Sequence, residues 1–379
     1  MKKKYIIFSI VTLVLLVALI TSFNYFKTTN TYIDDSFNNQ TKITKGISMN
    51  LEQTAGAGDY KTVTQSGWPT EGYKFNSELS RCENGSEISW DDTKKAVIVS
   101  GNLSDKCYVY FDIYQPTLAE YVISQYTGTQ GENNIYYHDS SLANGAGDNS
   151  YRYAGASDSV NNYICLGSDE ATCPDANLFR IIGVFGAQTK VIRAKSVGDK
   201  AWHSSSSNTW SSSSLNTYLN GEYLTNLGTL ADKIATTTWK VGGGSWANIG
   251  TSVPKTAYQY EVGSSASSIT YDAKIGLMYV SDYYYGASPS AWTLMGYNSD
   301  ATKDYRAATS TNWLYLGSYE WTISRYSDDV VFAFHVDSTG YVYFDLVSTS
   351  LGVRPSFNLL SSTTYVSGSG SMSDPVRVN

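Results

Sequence analysis

The chain has three histidines, His138, His203 and His335. Each could act as a general base, because an imidazole titrates near neutral pH. Their surroundings argue otherwise. Tyr137 and Asp139 flank the first, Trp202 and Ser204 flank the second, and both settings read as loop. His335 falls within the alternation of a strand. No G-x-S-x-G, H-E-x-x-H or phosphate-loop pattern accompanies them. No catalytic residue and no enzymatic activity are therefore expected. Asp328 and Asp329 form a lone acidic pair. Calcium wants about six to eight oxygen ligands, so the pair reads as a solvated turn, and no metal or cofactor is expected.

Four cysteines remain, Cys82, Cys107, Cys165 and Cys173. In an exported chain an even count reads as disulfides, and sequence proximity suggests Cys82–Cys107 and Cys165–Cys173. A zinc site is the alternative, but it needs C-x₂₋₄-C pairs, and the chain has none.

The richest chemistry is aromatic, with 32 Tyr and 9 Trp in stretches of Ser, Asn, Gly and Asp. This is the composition of antibody paratopes: large rings give contact area at low entropic cost, and small polar residues adapt their hydrogen bonds. The rings are densest between residues 281 and 327. The expected ligand surface is Trp292, Tyr297, Tyr305, Trp313, Tyr315, Tyr319 and Trp321, with Arg306 and Arg325 as polar anchors. The alternative is that such rings fill the core. That reading suits Trp210, Tyr218 and Tyr279, and extends most readily to Trp313 and Trp321. It suits the run Tyr283, Tyr284, Tyr285 less well, since a continuous run is not expected to point every ring inward.

These residues need elements to position them. Residues 5–23 form a 19-residue stretch without charge, preceded by Lys2, Lys3 and Lys4. A helix of that length spans about 29 Å, close to a bilayer's hydrocarbon core. The lysine flank keeps the N-terminus cytoplasmic. A cleavable signal peptide is the rival, but it wants a shorter apolar core and a small-x-small site, which is missing. The expectation is a signal-anchor helix (1–23) and a single-pass plasma-membrane protein with its C-terminal domain extracellular. A polar stalk (24–60), a small β module (61–114) and a large domain (115–379) follow. Setting aside the three lysines leaves 24 basic against 34 acidic residues, a balance of −10. That argues against nucleic acid as a partner.

Strands are expected at 96–100 and 107–113, then at 178–185 and 190–195 joined by a four-residue turn. Further strands are expected at 275–281, 330–336, 341–347 and 353–360. Helices are expected at 116–126 and 215–227, with Gly221 as a weak point in the second. Helices early and antiparallel strands late make an α+β pattern.

Residues 178–379 carry FRIIGVF (179–185), VIRAKSVGD (191–199), W-x-S-S-S-L-N-x-Y-L-N (210–220), IGLMYVSDYYYGA (275–287), NWLYLGSYEWTISR (312–325) and LGVRPSFNLL (351–360). On these motifs the chain resembles a family of uncharacterised surface proteins of low-GC Gram-positive gut bacteria. The resemblance implies a C-type-lectin-like domain, similar to that of formylglycine-generating enzymes, with the site on long loops between the late strands. Those enzymes use a cysteine pair in their C-terminal half, and this chain has no cysteine after Cys173. The E-P-N, Q-P-D and W-N-D tripeptides of calcium-dependent lectins are also missing.

The leading expectation is a cell-surface binding or adhesion module that recognises an extracellular glycan or protein through Tyr/Trp-rich loops. A structural pilus or cell-envelope component comes second. An enzyme with an unrecognised site comes third.

Overall fold

The computed structural model describes residues 31–32, 46–64, 67–69, 72–102 and 104–379. The chain divides into two compact units, Met1–Gln115 and Pro116–Asn379.

The first unit is built from strands. In Cys107–Ile113 the residues Cys107, Val109 and Phe111 are buried and their neighbours are not, the period-two pattern of a strand with one face inward. This strand is central. It pairs in parallel with Ile47–Glu52 and antiparallel with Tyr73–Cys82, and Tyr60–Val63 completes a four-stranded sheet. A second sheet holds Thr31–Tyr32, Ala96–Ser100 and Glu87–Asp91. Met49, Leu51, Val97, Val99, Val109 and Phe111 form the core. Cys82 and Cys107 lie directly opposite in register and are joined by a disulfide. Ile47–Glu52 falls inside the stretch expected as a stalk. Its apolar residues Met49 and Leu51 are buried in the core, so the sheet begins before residue 60.

The second unit centres on Leu178–Phe185, which is buried on both faces as its mostly apolar run demands, with Arg180 hydrogen-bonded to Asn162, Ser157 and the Val160 carbonyl. Gln188–Arg193 returns beside it through a two-residue turn, shorter than the four expected. Gly186 makes the turn with a φ of +63°, which costs glycine little. The sheet runs Ile275–Gly276, Ser356–Asn358, Gln188–Arg193, Leu178–Phe185, Tyr151–Tyr153, Ile135–Tyr137, and Tyr163–Cys165 also pairs with Leu178–Phe185. A five-stranded sheet runs Asp199–Ala201, Ser350–Gly352, Glu320–Arg325, Phe332–Val336, Val342–Leu346, which leaves Val342–Leu346 at an open edge. Cys165 is bonded to Cys173.

Helices are short. Leu118–Ser124 is set by a reciprocal capping box between Thr117 and Glu120. The helix expected over 215–227 is broken into Ser214–Tyr218, a wide turn over Leu219–Tyr223 that contains Gly221, and Leu224–Asn226. Pro254–Glu261, with eight residues, is the longest helix described. The unit is thus mostly β-sheet, and the expected α+β, C-type-lectin-like architecture is corrected accordingly. The strand expected over 275–281 also fails. Only Ile275–Gly276 is extended, and Val280–Tyr285 is a helix buried on every side. This is how Tyr283, Tyr284 and Tyr285 all point into protein: a helix surrounded by packing partners has no outward face.

The membrane placement is corrected as well. Residues 5–23 lie outside the described residues, and among the described residues no helix is long and apolar enough to cross a membrane. The structure therefore gives no support to a single-pass, signal-anchored protein in the plasma membrane.

Candidate functional site

Four of the expected ligand-binding rings are core. Trp292, Tyr305, Trp313 and Trp321 are each at most 1% exposed. Their polar atoms are spent on backbone carbonyls: Trp292 on Ala287, Tyr305 on Tyr284, Trp313 on Tyr153 and Trp321 on Lys200. A ring buried with its single donor satisfied has nothing left to offer a ligand. These four assignments are corrected to core packing. Tyr315 is half-buried and donates to the Ser338 carbonyl, and Arg325 is half-buried and donates from Nε to the Gly242 carbonyl. Tyr319 is exposed.

Tyr297 and Arg306 do come together on the surface. Arg306 grips the buried Asp304 with two nitrogens, Nη2–Oδ2 at 2.6 Å and Nε–Oδ1 at 2.9 Å, and Nη2 also donates to the Asn298 carbonyl. The fixed guanidinium then lies 5.6 Å from the Tyr297 ring and 5.2 Å from the Tyr341 ring. From there a continuous row of partly exposed rings wraps the open edge strand. Tyr297 meets Tyr341 and Tyr343 at 5.3 and 5.5 Å. Tyr343 meets Trp246 at 5.0 Å and Phe344 at 4.6 Å, and Phe344 stacks on Tyr326 at 4.6 Å. Trp246, Tyr341, Tyr343 and Phe344 were not singled out in the sequence. Trp246 sits alone among glycines and serines, and the other three belong to a strand whose edge position no local pattern reveals.

Each histidine is engaged by its own surroundings. His138 is buried against Tyr285 and Trp292, and its Nδ1 accepts from the Ala146 amide. His335 is buried beside Tyr319 and Trp321. His203 Nε2 lies 2.9 Å from Ser205 Oγ, but its Nδ1 accepts from the Ser214 amide. A neutral ring that accepts at Nδ1 carries its proton on Nε2, so His203 donates to Ser205 and cannot remove the hydroxyl proton.

A second feature is a cavity of about 220 Å³ in the second unit. Its walls carry four charged side chains that sit in or against the core. Lys190 Nζ is 2.5 Å from Asp282 Oδ2, and Arg152 Nη2 is 2.6 Å from Asp148 Oδ2. Arg152 also faces Asp282 at 3.6 Å. The carboxylate of Asp282 accepts from the Tyr279 amide and so caps the helix Val280–Tyr285. Behind it Glu261 accepts from the amides of Val280 and Ser281 at 3.0 and 2.7 Å, and its burial pushes its pKa up to about 6. Rings surround the cations: Phe185, Tyr258 and Tyr285 around Arg152, and Phe185, Trp239 and Tyr279 around Lys190. Burial pushes the Lys190 ammonium below its ordinary value, and Asp282 pushes it back up. Two glycines make the geometry. A Cβ on Gly183 would come within 2.1 Å of the Tyr151 carbonyl, so only glycine lets the strand bearing Arg152 approach. A Cβ on Gly276 would lie 2.9 Å from the Trp239 ring. The sequence did hold a signal for this cluster. It was partial: Lys190 lies in a stretch read as strand, where a buried cation requires a partner, but nothing local marks Arg152, Asp148 or Asp282.

No family model, curated protein or solved structure matches this chain.

Proposed function

We propose that the chain is a recognition module that captures a glycan along the aromatic edge of its five-stranded sheet. One observation carries the reading: Arg306, locked onto buried Asp304, lies across Tyr297 and Tyr341 at one end of a row of partly exposed rings. Sugar faces stack on such rings, and Arg306, the tyrosine hydroxyls and Asn298 supply polar contacts beside them. Tyr and Trp lose little entropy on binding, which suits them to a preformed surface. The two disulfides support work in an oxidising compartment. The acidic balance of the chain disfavours a nucleic-acid ligand.

The test is a glycan array probed with the full chain, followed by capture measurements on Tyr343→Ala, Tyr297→Ala and Arg306→Gln, each with a melting curve. Lost capture at unchanged melting is the expected result for the two tyrosine variants, and lost capture with a lowered melting temperature for Arg306→Gln, which leaves buried Asp304 without its cation. If the native chain captures no glycan but retains a protein partner that Tyr343→Ala releases, the ligand class is wrong. If none of the variants alters capture, the edge is not the site.

A further inference from the structure

We infer that the cavity beside Lys190 is a second, separate binding site, and that it takes a compact molecule bearing a carboxylate and a hydrogen-bond donor, of the amino-acid or hydroxy-acid class. Size sets the first limit. About 220 Å³ lies below the roughly 300 Å³ at which drug-sized pockets begin, which suits a compact molecule.

Charge sets the second. Five charged residues line the cavity: Arg152, Lys190, Lys240, Asp148 and Asp282. Two cations are matched, Lys190 by Asp282 and Arg152 by Asp148. Lys240 is not: among the described residues it forms no ion pair. Lys240 is thus the lining cation without a carboxylate partner, and a ligand carboxylate is the group that would pair with it.

The third limit is an orphaned acceptor. Asn358 lines the cavity and is 9% exposed. It lies directly opposite Lys190 on the neighbouring strand. Its Nδ2 donates to Thr237 Oγ1 at 3.0 Å, and its Oδ1 is buried with no donor. A buried acceptor left without a donor is costly, so the site calls for an N–H or O–H brought from outside. Carboxylate for Lys240 and donor for Asn358 together describe an α-amino acid or an α-hydroxy acid. Phe185, Trp239, Tyr258 and Tyr279 supply apolar walls for its carbon skeleton.

The experiment is calorimetry on the full chain with serine and alanine as amino-acid probes and lactate and glycerate as hydroxy-acid probes. Alaninamide, which lacks the carboxylate, is the control. At least one acid should bind with a Kd below about a millimolar, and alaninamide should bind at least tenfold more weakly. Lys240→Gln should weaken the acid at least tenfold with melting unchanged. Asn358→Leu should weaken it as well, and Tyr343→Ala on the aromatic edge should leave it untouched. If none of the four acids binds, if alaninamide binds as well as alanine, or if Lys240→Gln binds normally, the inference is overturned. Because Tyr343 and Lys240 belong to different sites, failure here and failure of glycan capture are told apart.

Discussion

Lys190 Nζ lies 2.5 Å from Asp282 Oδ2, although the two residues are 92 positions apart and both side chains are nearly excluded from water. The pair ties the central sheet to the buried helix Val280–Tyr285. Its weakness as a simple ion pair is instructive, because Asp282 serves three masters: Lys190, the Tyr279 amide and Arg152. Removing Lys190 leaves Asp282 facing Arg152. Removing the charge of Asp282 leaves two buried cations with Asp148 alone.

The first prediction follows from that asymmetry. Breaking a buried pair from one side costs about 3–5 kcal/mol. Asp282→Asn should lie at the upper end of that range and Lys190→Met at the lower end, read from urea midpoints. A larger loss for Lys190→Met would mean that Arg152 is not part of the network.

The second prediction concerns the disulfides. Cys82–Cys107 spans 25 residues and Cys165–Cys173 spans 8. On the chain-entropy account the longer loop contributes roughly 3 kcal/mol or a little more, about 1 kcal/mol beyond the shorter. Replacing Cys82 and Cys107 together by serine should raise amide exchange across 47–113 and leave 178–193 protected, because the two stretches belong to different compact units. Loss of protection in both would show that the units unfold together.

The third prediction separates ring from ring in the stretch once expected to be a single surface. Trp292→Ala and Trp313→Ala should each cost about 3–5 kcal/mol, the price of emptying a filled core site. Tyr319→Ala and Tyr343→Ala, at residues 44% and 36% exposed, should cost about 1 kcal/mol or less. Thermal melts of the four variants decide it, and equal losses in all four would contradict the burial pattern.

What was legible in the sequence was local. Mostly apolar, β-branched residues marked Leu178–Phe185 and, two residues late, the strand Gln188–Arg193, and alternation marked Cys107–Ile113. The helix after Pro116 was signalled by apolar spacing, and the Thr117–Glu120 box reinforces it. The rest depends on contacts distant in sequence. Val280–Tyr285 has the β-branched and aromatic residues of a strand, yet Asp282 and Glu261 cap its amides and surrounding protein covers every face. Whether a tyrosine serves the core or the surface cannot be read from its neighbours when both environments use it. Tyr305 and Arg306 are adjacent, and one is wholly buried while the other is half-buried at the edge of the sheet. The charged cavity was invisible for the same reason, since its lining comes from segments between residues 148 and 358.

The last prediction is the pH dependence of stability, in which buried groups oppose each other. His335 ordinarily titrates near 6.5, and burial pushes it down to about 4 in the folded protein. Between those values the unfolded chain binds a proton that the folded chain does not, so stability falls as pH drops from 6.5 to 4. At 1.36 kcal/mol per unit the loss from His335 is about 3 kcal/mol. His138 shifts in the same direction through burial and the nearby Arg152. Glu261 works the other way. Burial raises it from 4.5 to about 6, so its contribution is full below 4.5 and is lost as pH rises through 6. Between 4.5 and 6 two histidines favour the higher pH, and two buried carboxyls, Glu261 and Glu320, favour the lower, so the native slope there should be shallow and acidification should cost stability mainly above pH 6. Urea unfolding at half-unit steps from pH 4 to 7 measures the slope. His335→Leu should flatten it by about one proton. Glu261→Gln should steepen it by about one proton between 4.5 and 6, whatever that change does to absolute stability. A slope that His335→Leu leaves unaltered would show that His335 is protonated in the fold, and a solvated position for its ring would replace the buried one.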